Sequence, residues 1–157
     1  MIRLYHVKDI YIDYLRIFDK KVLMNKSEKR PYVGIIYSIN SINYYLPLSS
    51  PKPKFQNMKN SKDFHKIAGG NYGAINFNKM IPVGIEELIE IDISNEPDIK
   101  YRNLLQNQFR ELINMKNIIS KKTQEIYSLF ITTNAALSSN DKKIKNRCCD
   151  FYCLNRK

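Results

Sequence analysis

The chain has 157 residues, a formal net charge of +11, 43% hydrophobic residues and 11% aromatic residues. This apolar content excludes an intrinsically disordered chain and is sufficient for one globular domain, which we predict to span residues 1–157. The charge, most of which lies in residues 1–66, favours an anionic partner such as nucleic acid or an anionic membrane surface.

No apolar run approaches the roughly 18 residues of a membrane span, and the first residues lack the apolar core of a secretory signal. The cysteines Cys148, Cys149 and Cys153 lie close together near the end of the sequence. Their odd number and adjacency favour reduced thiols, so we predict a cytoplasmic protein. No metal site or cofactor is expected, because a fourth zinc ligand would have to come from the distant His6 or His65.

The first elements are predicted from the spacing of apolar residues. Residues 2–7 alternate like a half-buried strand. Asp9 then suits the N-cap of a helix that runs to about Lys21. Tyr11 falls off the apolar stripe of this helix. The stripe consists of Ile10, Tyr14, Ile17 and Phe18.

A hairpin is predicted in the middle of the first half. Residues 32–39 are β-branched and aromatic, as is typical of a central strand, and they follow a polar, basic loop at 23–30. The strand pattern resumes at 43–48 after Asn40-Ser41, which predicts an antiparallel pair. A long basic loop follows at 51–66, and loops of this length in a compact domain are usually functional or disordered.

The second half changes from strand to helical periodicity. Two strands are predicted at 74–83 and 88–93, and a helix is predicted to begin at Pro97. A second helix is predicted at 120–136, and residues 142–157 form a basic tail that either frames a partner surface or frays. The inward positions of the two helices are Tyr101, Leu104, Leu105, Phe109, Leu112, Ile113 and Met115, then Ile126, Tyr127, Phe130 and Ile131. Together the elements predict an α+β fold with five to seven antiparallel strands.

The most distinctive stretch is residues 45–54, where an apolar strand ends at two serines and two lysines between three prolines. Each proline fixes its own φ and biases the residue before it toward extended geometry. Ser49, Ser50 and Lys52 would therefore be presented at a stiff strand exit. A solvated proline-rich loop explains the same pattern equally well.

A basic protein without metal ligands can cleave RNA, because the 2′-hydroxyl of RNA supplies the nucleophile. The enzyme then needs to position the phosphate, assist proton transfer and stabilise charge. Aromatic residues interleaved with lysines suit unstacked RNA bases. No phosphate-binding loop, dinucleotide fingerprint or carboxylate cluster is present. These residues favour RNA over a membrane surface, since the basic residues cluster in loops rather than on an amphipathic helix, but they fit cleavage and simple binding equally.

Several blocks of the sequence resemble those of a known family. They are Tyr5, Tyr11-x-x-Tyr14-Leu15 with Phe18-Asp19-x-Lys21-Val22, Arg30-Pro31-Tyr32-Val33-Gly34-Ile35, Pro47-Leu48-Ser49-Ser50-Pro51-Lys52, Gly73-Ala74-Ile75-Asn76 with Met80-Ile81-Pro82, and the helix opening at Pro97. In this order they resemble the ToxN/AbiQ family, including its Cpt-like branch. Members of that family are the endoribonuclease toxins of type III toxin–antitoxin systems. The resemblance covers nearly everything up to about residue 130.

The resemblance implies a single-domain, twisted antiparallel sheet of about six strands with packed helices, related to MazF- and Kid-like toxins. It also implies metal-independent, sequence-selective cleavage of RNA that leaves a 2′,3′-cyclic phosphate. Ser50 matches the family's essential serine, Ser49 its neighbouring hydroxyl and Lys52 its catalytic lysine. Arg30 stands where some members have lysine, and Tyr11 matches an active-site tyrosine. A second tyrosine of some members has no counterpart shortly before Arg30.

The partners that the resemblance implies are all RNA. The inhibitor would be small repeated RNA pseudoknots, which the toxin's own cleavage produces and which then assemble with the toxin into a closed complex. The substrate would be cellular or phage RNA. No protein antitoxin and no membrane are expected, and the alternative is a non-catalytic RNA-binding regulator. The residues predicted to contact RNA, with Phe55 stacking on a base, are Lys54, Phe55, Lys59, Lys62, His65, Lys66, Asn76 and Lys79.

Overall fold

A computed structural model of the chain describes residues 2–27 and 29–157, with the backbone alone at 35–37. Short 3-10 turns connect many of the elements. The strands and helices are β1 (Ile2–Val7), α1 (Asp9–Phe18), β2 (Tyr32–Ile39), β3 (Ile42–Ser49), β4 (Phe64–Lys66), β5 (Ala74–Asn76), β6 (Ile81–Pro82), β7 (Leu88–Glu90), α2 (Ile99–Asn114), α3 (Lys116–Ile131), α4 (Ser139–Arg147) and α5 (Phe151–Leu154).

The strands form one antiparallel sheet in the order β4-β5-β3-β2-β1-β7, with β6 also beside β3. The α+β prediction is confirmed, and so is the hairpin, which is the pair β2 and β3. Its turn residues Asn40 and Ser41 have φ values of 51° and 65°, the left-handed geometry that matches the twist of a two-residue hairpin.

Register brings three chain segments to one end of the sheet. Tyr32 pairs with both Tyr5 and Pro47, so β1 and β3 end where β2 begins. Arg30, just before β2, therefore lies beside the exit of β3 at Ser49. The predicted strand exit is thus flanked by the basic loop that precedes β2.

The predicted strand at 74–83 is wrong, because it is divided into β5 and β6 by a 3-10 turn at Phe77–Lys79. Ser49 pairs with Ala74, whereas Tyr45 pairs with Ile81, so the register along β3 shifts by the length of that turn. Pro47 lies between these two pairings and has no N–H to offer a third. The next predicted strand is also shorter, since β7 ends at Glu90 rather than 93.

The apolar face assigned to α1 is wrong. Ile12 and Leu15 are fully buried. The residues of the predicted apolar stripe are instead exposed, namely Ile10, Tyr14, Ile17 and Phe18. Lys8 alone separates α1 from β1, so the exit direction of the strand decides which side of the helix meets the core. Lys8, rather than Asp9, is the N-cap residue, and the helix ends at Phe18 rather than Lys21.

The long helices lie near their predicted positions with shifted ends. α2 begins after Asp98, whose side chain accepts the Tyr101 N–H at 3.2 Å, so Pro97 precedes the cap rather than opening the helix. α3 begins at Lys116, not at 120, and ends at Ile131 rather than 136. Ile113 and Ile131, which were assigned to the inward faces, are 51% and 45% exposed.

The C-terminal segment neither frays nor lies loosely on the surface. It forms α4 and α5, and Phe151 is completely buried between the rings of Tyr44, Tyr127 and Phe130. Cys148 and Cys149 are buried, unpaired thiols, and burial raises the pKa of each to about 12. The buried residues of this segment therefore belong to the core, and they are Ile144, Cys148, Cys149, Phe151 and Leu154. In the described ranges, no helix has both the length and the apolar character that crossing a bilayer requires.

The end of β3 depends on a close approach by Gly73. This glycine has a φ of +95°, and a Cβ atom placed on it would lie 1.8 Å from the Ser49 carbonyl oxygen. Gly69, nearby in the chain, also has a positive φ of +65°, but a Cβ there would meet nothing within 4 Å. A substitution at Gly69 therefore introduces backbone strain alone, whereas one at Gly73 introduces both strain and steric overlap.

We expect Gly73→Ala to lower the free energy of unfolding by more than about 3 kcal/mol, because left-handed strain and overlap with Ser49 add together. Gly69→Ala, the matched control, should cost about 1–2 kcal/mol from the strain alone. Urea unfolding of both variants measures the difference. Equal costs would show that the backbone at Ser49 moves aside without penalty.

Candidate active site

The exit of β3 opens into a cleft of about 400 Å³. Its lining is mostly cationic and amide-bearing, and Asp63 is the single carboxylate among the described lining residues. The lining residues that bear on chemistry are Arg30, Ser49, Lys52, Asn76, Lys79 and Arg147. Positive charge and neutral hydrogen-bonding groups thus converge on one concave surface, which suits an anionic ligand.

The Arg30 guanidinium is held by backbone carbonyls. Its Nε donates to the Met24 oxygen at 3.0 Å, and a terminal nitrogen donates to the Leu48 oxygen at 3.2 Å. The residue is 9% exposed, and no carboxylate of the described residues lies within ion-pair distance. Burial lowers the pKa of Arg30, although a guanidinium stays protonated at neutral pH. The N–H groups that the carbonyls leave unused can bind an anion.

The two serines at the strand exit face different cavities. Ser49 is 8% exposed and lines the cleft, where its Oγ accepts a hydrogen bond from Asn76 Nδ2 at 2.7 Å. Ser50 is exposed and lines a second cavity of about 190 Å³. This separation follows from the alternation of side chains along a strand. Arg30 lines both cavities and therefore lies between the two hydroxyls.

Lys52 and Lys54 stand over a buried ring rather than beside an exposed one. The Nζ atom of each lies 5.9 Å from the centre of the Phe55 ring. Phe55 is only 3% exposed and packs against Phe64 with ring centres 5.4 Å apart. The predicted stacking of Phe55 on a base therefore does not fit the structure. Its ring supports the two ammonium groups instead.

A buried carboxylate ties the floor of the cleft together. Asp63 is 3% exposed, and its Oδ2 accepts from Arg147 Nε at 3.0 Å and from Asn78 Nδ2 at 2.9 Å. Its Oδ1 accepts from the Ser61 hydroxyl at 3.0 Å. These contacts join the basic loop, the turn after β5 and the end of α4. Sequence reasoning missed this network, because Asp63 and Arg147 are far apart in the chain and no local pattern relates them.

The lysines predicted to contact RNA differ in their surroundings. Lys54, Lys59 and Lys79 line the cleft, and Lys79 Nζ also donates to the Arg147 carbonyl oxygen at 2.7 Å. Lys62 does not line it and forms an ion pair with Asp141 at 2.8 Å. Lys66, on β4, also lies outside the cleft lining. The structure thus brings part of the predicted cation set together.

His65 does not line the cleft. Its Nδ1 lies 2.8 Å from Lys122 Nζ, and because an ammonium can only donate, this ring nitrogen must be the acceptor. Burial, followed by the charge of Lys122, lowers the pKa of His65. The histidine is therefore neutral at pH 7 and faces a helix lysine.

Tyr11 is not brought to the strand exit either. Its hydroxyl donates to the Pro82 carbonyl oxygen at 2.9 Å. Burial, with smaller contributions from Glu87 and Glu86, raises the pKa of Tyr11 to about 12. The carboxylates next to Tyr11 give it an environment opposite in sign to the cationic cleft, and it lines neither of the cavities at the two serines.

Comparisons with known proteins give a consistent result. The family model for toxin ToxN of type III toxin–antitoxin systems matches residues 3–157. Endoribonuclease ToxN of Bacillus thuringiensis subsp. kurstaki is 36% identical over 94% of this chain and 77% of its own length. A solved type III toxin that is selectively inhibited by a non-coding RNA pseudoknot superposes with a TM-score of 0.88 at 33% identity, covering 99% of this chain and 94% of that one. The lactococcal anti-phage endoribonuclease AbiQ superposes with a TM-score of 0.78 at 28% identity, with coverage of 99% and 94%.

We expect Asp63→Asn to lower the free energy of unfolding by about 2–3 kcal/mol, because the amide places a donor among the donors that now meet the carboxylate. The matched control is Asp141→Asn, which breaks the more exposed pair with Lys62 and should cost less than about 1 kcal/mol. Urea unfolding at neutral pH compares the two. Similar losses would mean that the Asp63 network does not hold the cleft together.

Proposed function

The chain belongs to the ToxN family of type III toxin–antitoxin toxins, and from this premise we propose that it is an endoribonuclease toxin inhibited by an RNA pseudoknot antitoxin. Similar proteins carry the name endoribonuclease, and a structurally similar toxin is inhibited by such an RNA. The substrate is cellular or phage RNA, and the cut is sequence-selective. The reaction needs no metal ion and no cofactor.

The observation that carries the proposal is the buried Arg30 guanidinium without a carboxylate partner in the described part of the chain. A buried charge is costly unless it is paired. Backbone carbonyls orient this one, and its remaining N–H groups form the planar fork that matches two phosphate oxygens. A phosphodiester bound there would complete the missing pairing.

The proposed step is an in-line displacement at that phosphate. The 2′-oxygen bonds to phosphorus while the bond from phosphorus to the next nucleotide's 5′-oxygen breaks, which yields a 2′,3′-cyclic phosphate and a 5′-hydroxyl. Arg30 and Lys52 stabilise the negative charge that grows on the remaining phosphate oxygens. The 2′-proton passes to solvent by way of Ser50, and the 5′-oxygen takes a proton from solvent.

The other predicted site residues have supporting roles in this scheme. Ser49 accepts from Asn76, so its own hydroxyl hydrogen can be donated to a phosphate oxygen. Lys54, Lys59 and Lys79 extend the cationic surface along the backbone of the RNA. Tyr11 takes no part in the step, because its hydroxyl donates to a carbonyl beside two glutamates.

The antitoxin is proposed to use the same cationic cleft. A folded RNA whose cut end reaches Arg30 would place its phosphates over these lysines and would block the site as product. Several such RNAs and toxins would then alternate in a closed assembly. A non-catalytic RNA-binding regulator would share this surface but would not depend on the strand-exit hydroxyl and ammonium.

We expect Ser50→Ala and Lys52→Ala each to reduce the rate of RNA cleavage at least about a hundredfold, the scale of groups that transfer protons or stabilise charge. Both side chains are exposed, so the variants should remain folded and should still bind RNA. Ser49→Ala should be milder if its hydroxyl only supports the phosphate. A gel assay with a labelled RNA measures the rates.

The matched control is Lys116→Ala, which removes the same charge from an exposed position on α3 and should cleave like the wild type. Growth arrest on expression, relieved by Lys52→Ala, gives an independent readout. If the wild type binds RNA without cutting it, and if Lys52→Ala arrests growth as the wild type does, the regulator is favoured.

Cleavage should persist in excess EDTA, because the Asp63 carboxylate is occupied by its own donors and the described residues contain no cluster of three His, Cys, Asp or Glu side chains that could hold a metal. RNA affinity should fall steeply with salt, with a slope of roughly −0.7 per neutralised phosphate for a single strand. Loss of activity in EDTA that magnesium restores would contradict this mechanism.

A further inference from the structure

Most of the residues that line the second cavity at the strand exit, apart from Arg30 and Ser50, have no role in the proposed cleavage step. It holds about 190 Å³ between the start of β2, the end of β3 and the first turns of α2, and Ser50 is part of its wall. This is smaller than the roughly 300–1,000 Å³ of pockets for drug-sized ligands. It therefore has room for part of a nucleotide rather than for a whole one.

One wall of this cavity carries a buried hydrogen-bond acceptor without a partner. Gln108 is 1% exposed, and its Nε2 donates to the Tyr72 carbonyl oxygen at 2.9 Å, which fixes the orientation of the amide. Its Oε1 has no hydrogen-bond partner among the described residues. Because an unpaired buried acceptor is costly, the fold retains a group that a donor from outside would satisfy.

The remaining walls suit a flat, apolar ring. Leu48 and Leu104 line the cavity together with the aromatic ring of Tyr101. The Tyr101 hydroxyl donates to the Lys29 carbonyl oxygen at 3.1 Å and lies 2.9 Å from His6 Nε2. These bonds hold the ring in one orientation, so that it is a rigid platform of the kind on which unpaired bases stack.

Part of the lining of the cavity is cationic. Lys26, Lys29 and Arg30 are among its lining residues, and Arg30 also belongs to the cleft. The charge of Arg30 is the largest cause that lowers the pKa of Lys26, followed by burial and the charge of Lys52. Like charges crowded in this way would be relieved by an anion between them.

We propose that the cavity is a nucleobase subsite that selects the nucleotide beside the cut. The unpaired base lies against Tyr101 and Leu104 and donates an N–H hydrogen bond to Gln108 Oε1, while its phosphate lies at Arg30. The inference rests on the proposed function, because it assigns the two cavities to the two sides of one scissile phosphate. Gln108 and Tyr101 then determine which base is selected. Ser50 acts at the scissile phosphate, where the two cavities adjoin.

Cleavage of an RNA with a randomised segment, followed by sequencing of the cut ends, tests this subsite. Gln108→Met removes the acceptor at similar volume and should reduce the base preference at one position beside the cut about tenfold, the scale of a lost hydrogen bond to a buried group. Preferences at the other positions should stay as in the wild type. A general loss of rate with an unchanged base preference would show that Gln108 is only structural.

A second variant removes the space rather than the hydrogen bond. Leu104→Phe should fill the cavity and reduce cleavage of the preferred sequence at least about tenfold, by the same reasoning from one lost hydrogen bond and its stacked base. Ile113→Phe, on an exposed part of the same helix, is the matched control and should cleave like the wild type. Urea midpoints identify any variant that fails to fold. If Gln108→Met does not fold, Leu104→Phe still tests the subsite.

The outcomes separate the subsite from the proposed function. If the wild type does not cut RNA, the proposed endoribonuclease function is wrong, and if Lys52→Ala cuts it equally well, the role proposed for Lys52 is wrong. If the wild type cuts, Lys52→Ala does not, and both cavity variants keep the wild-type base preference and rate, only the subsite is wrong. A preference lost at one position alone would support it.

Discussion

The missing N–H of Pro47 is the constraint from which the site is built. Leu48 N–H bonds to the Pro31 oxygen, so the neighbouring Pro47 nitrogen points to the other side of β3, where β5 and β6 lie. If the partner strand were continuous, its carbonyl group opposite Pro47 would have no N–H from which to accept a hydrogen bond. The chain instead leaves the ladder at residues 77–79 and rejoins it afterwards. That turn buries Phe77 completely and carries Asn78 and Lys79 to the cleft.

Positive charge is tolerated at this place because backbone and aromatic groups hold it. Arg30 is fastened by two carbonyls, and Lys52 and Lys54 stand over one buried ring. The acidic residue in the cleft lining, Asp63, is directed at Arg147, Asn78 and Ser61 rather than at these cations. Within the part of the chain that the structure describes, Arg30, Lys52 and Lys54 are therefore oriented without an ion-pair partner that neutralises them. Such preorganised charge is what phosphoryl chemistry requires, since the donors need not reorganise as charge develops.

Local patterns predicted what is local. The alternation in residues 32–48 was sufficient for the hairpin, and the proline-fixed stretch after it was sufficient to locate a strand exit. The inward face of α1 depends on contacts between distant segments, so helical spacing predicted the wrong face. The burial of Phe55 against Phe64 likewise has no signal in the mixture of lysines and aromatic residues of the basic loop. The Asp63–Arg147 pair had no sequence signal at all. A proline inside a predicted central strand, however, is a readable sign that the partner strand must break.

The alternation of a strand also limits what two adjacent hydroxyls can do. Ser49 and Ser50 point into different cavities, so they cannot both act on the same atom from the same side. Arg30 is the group that reaches both spaces. A phosphate on its guanidinium would have Ser49 and Asn76 on one side and Ser50 on the other. Under the proposed function, a strand exit of this kind would offer one phosphodiester two different faces, which suits an in-line displacement because the attacking and leaving oxygens lie on opposite sides of the phosphorus atom.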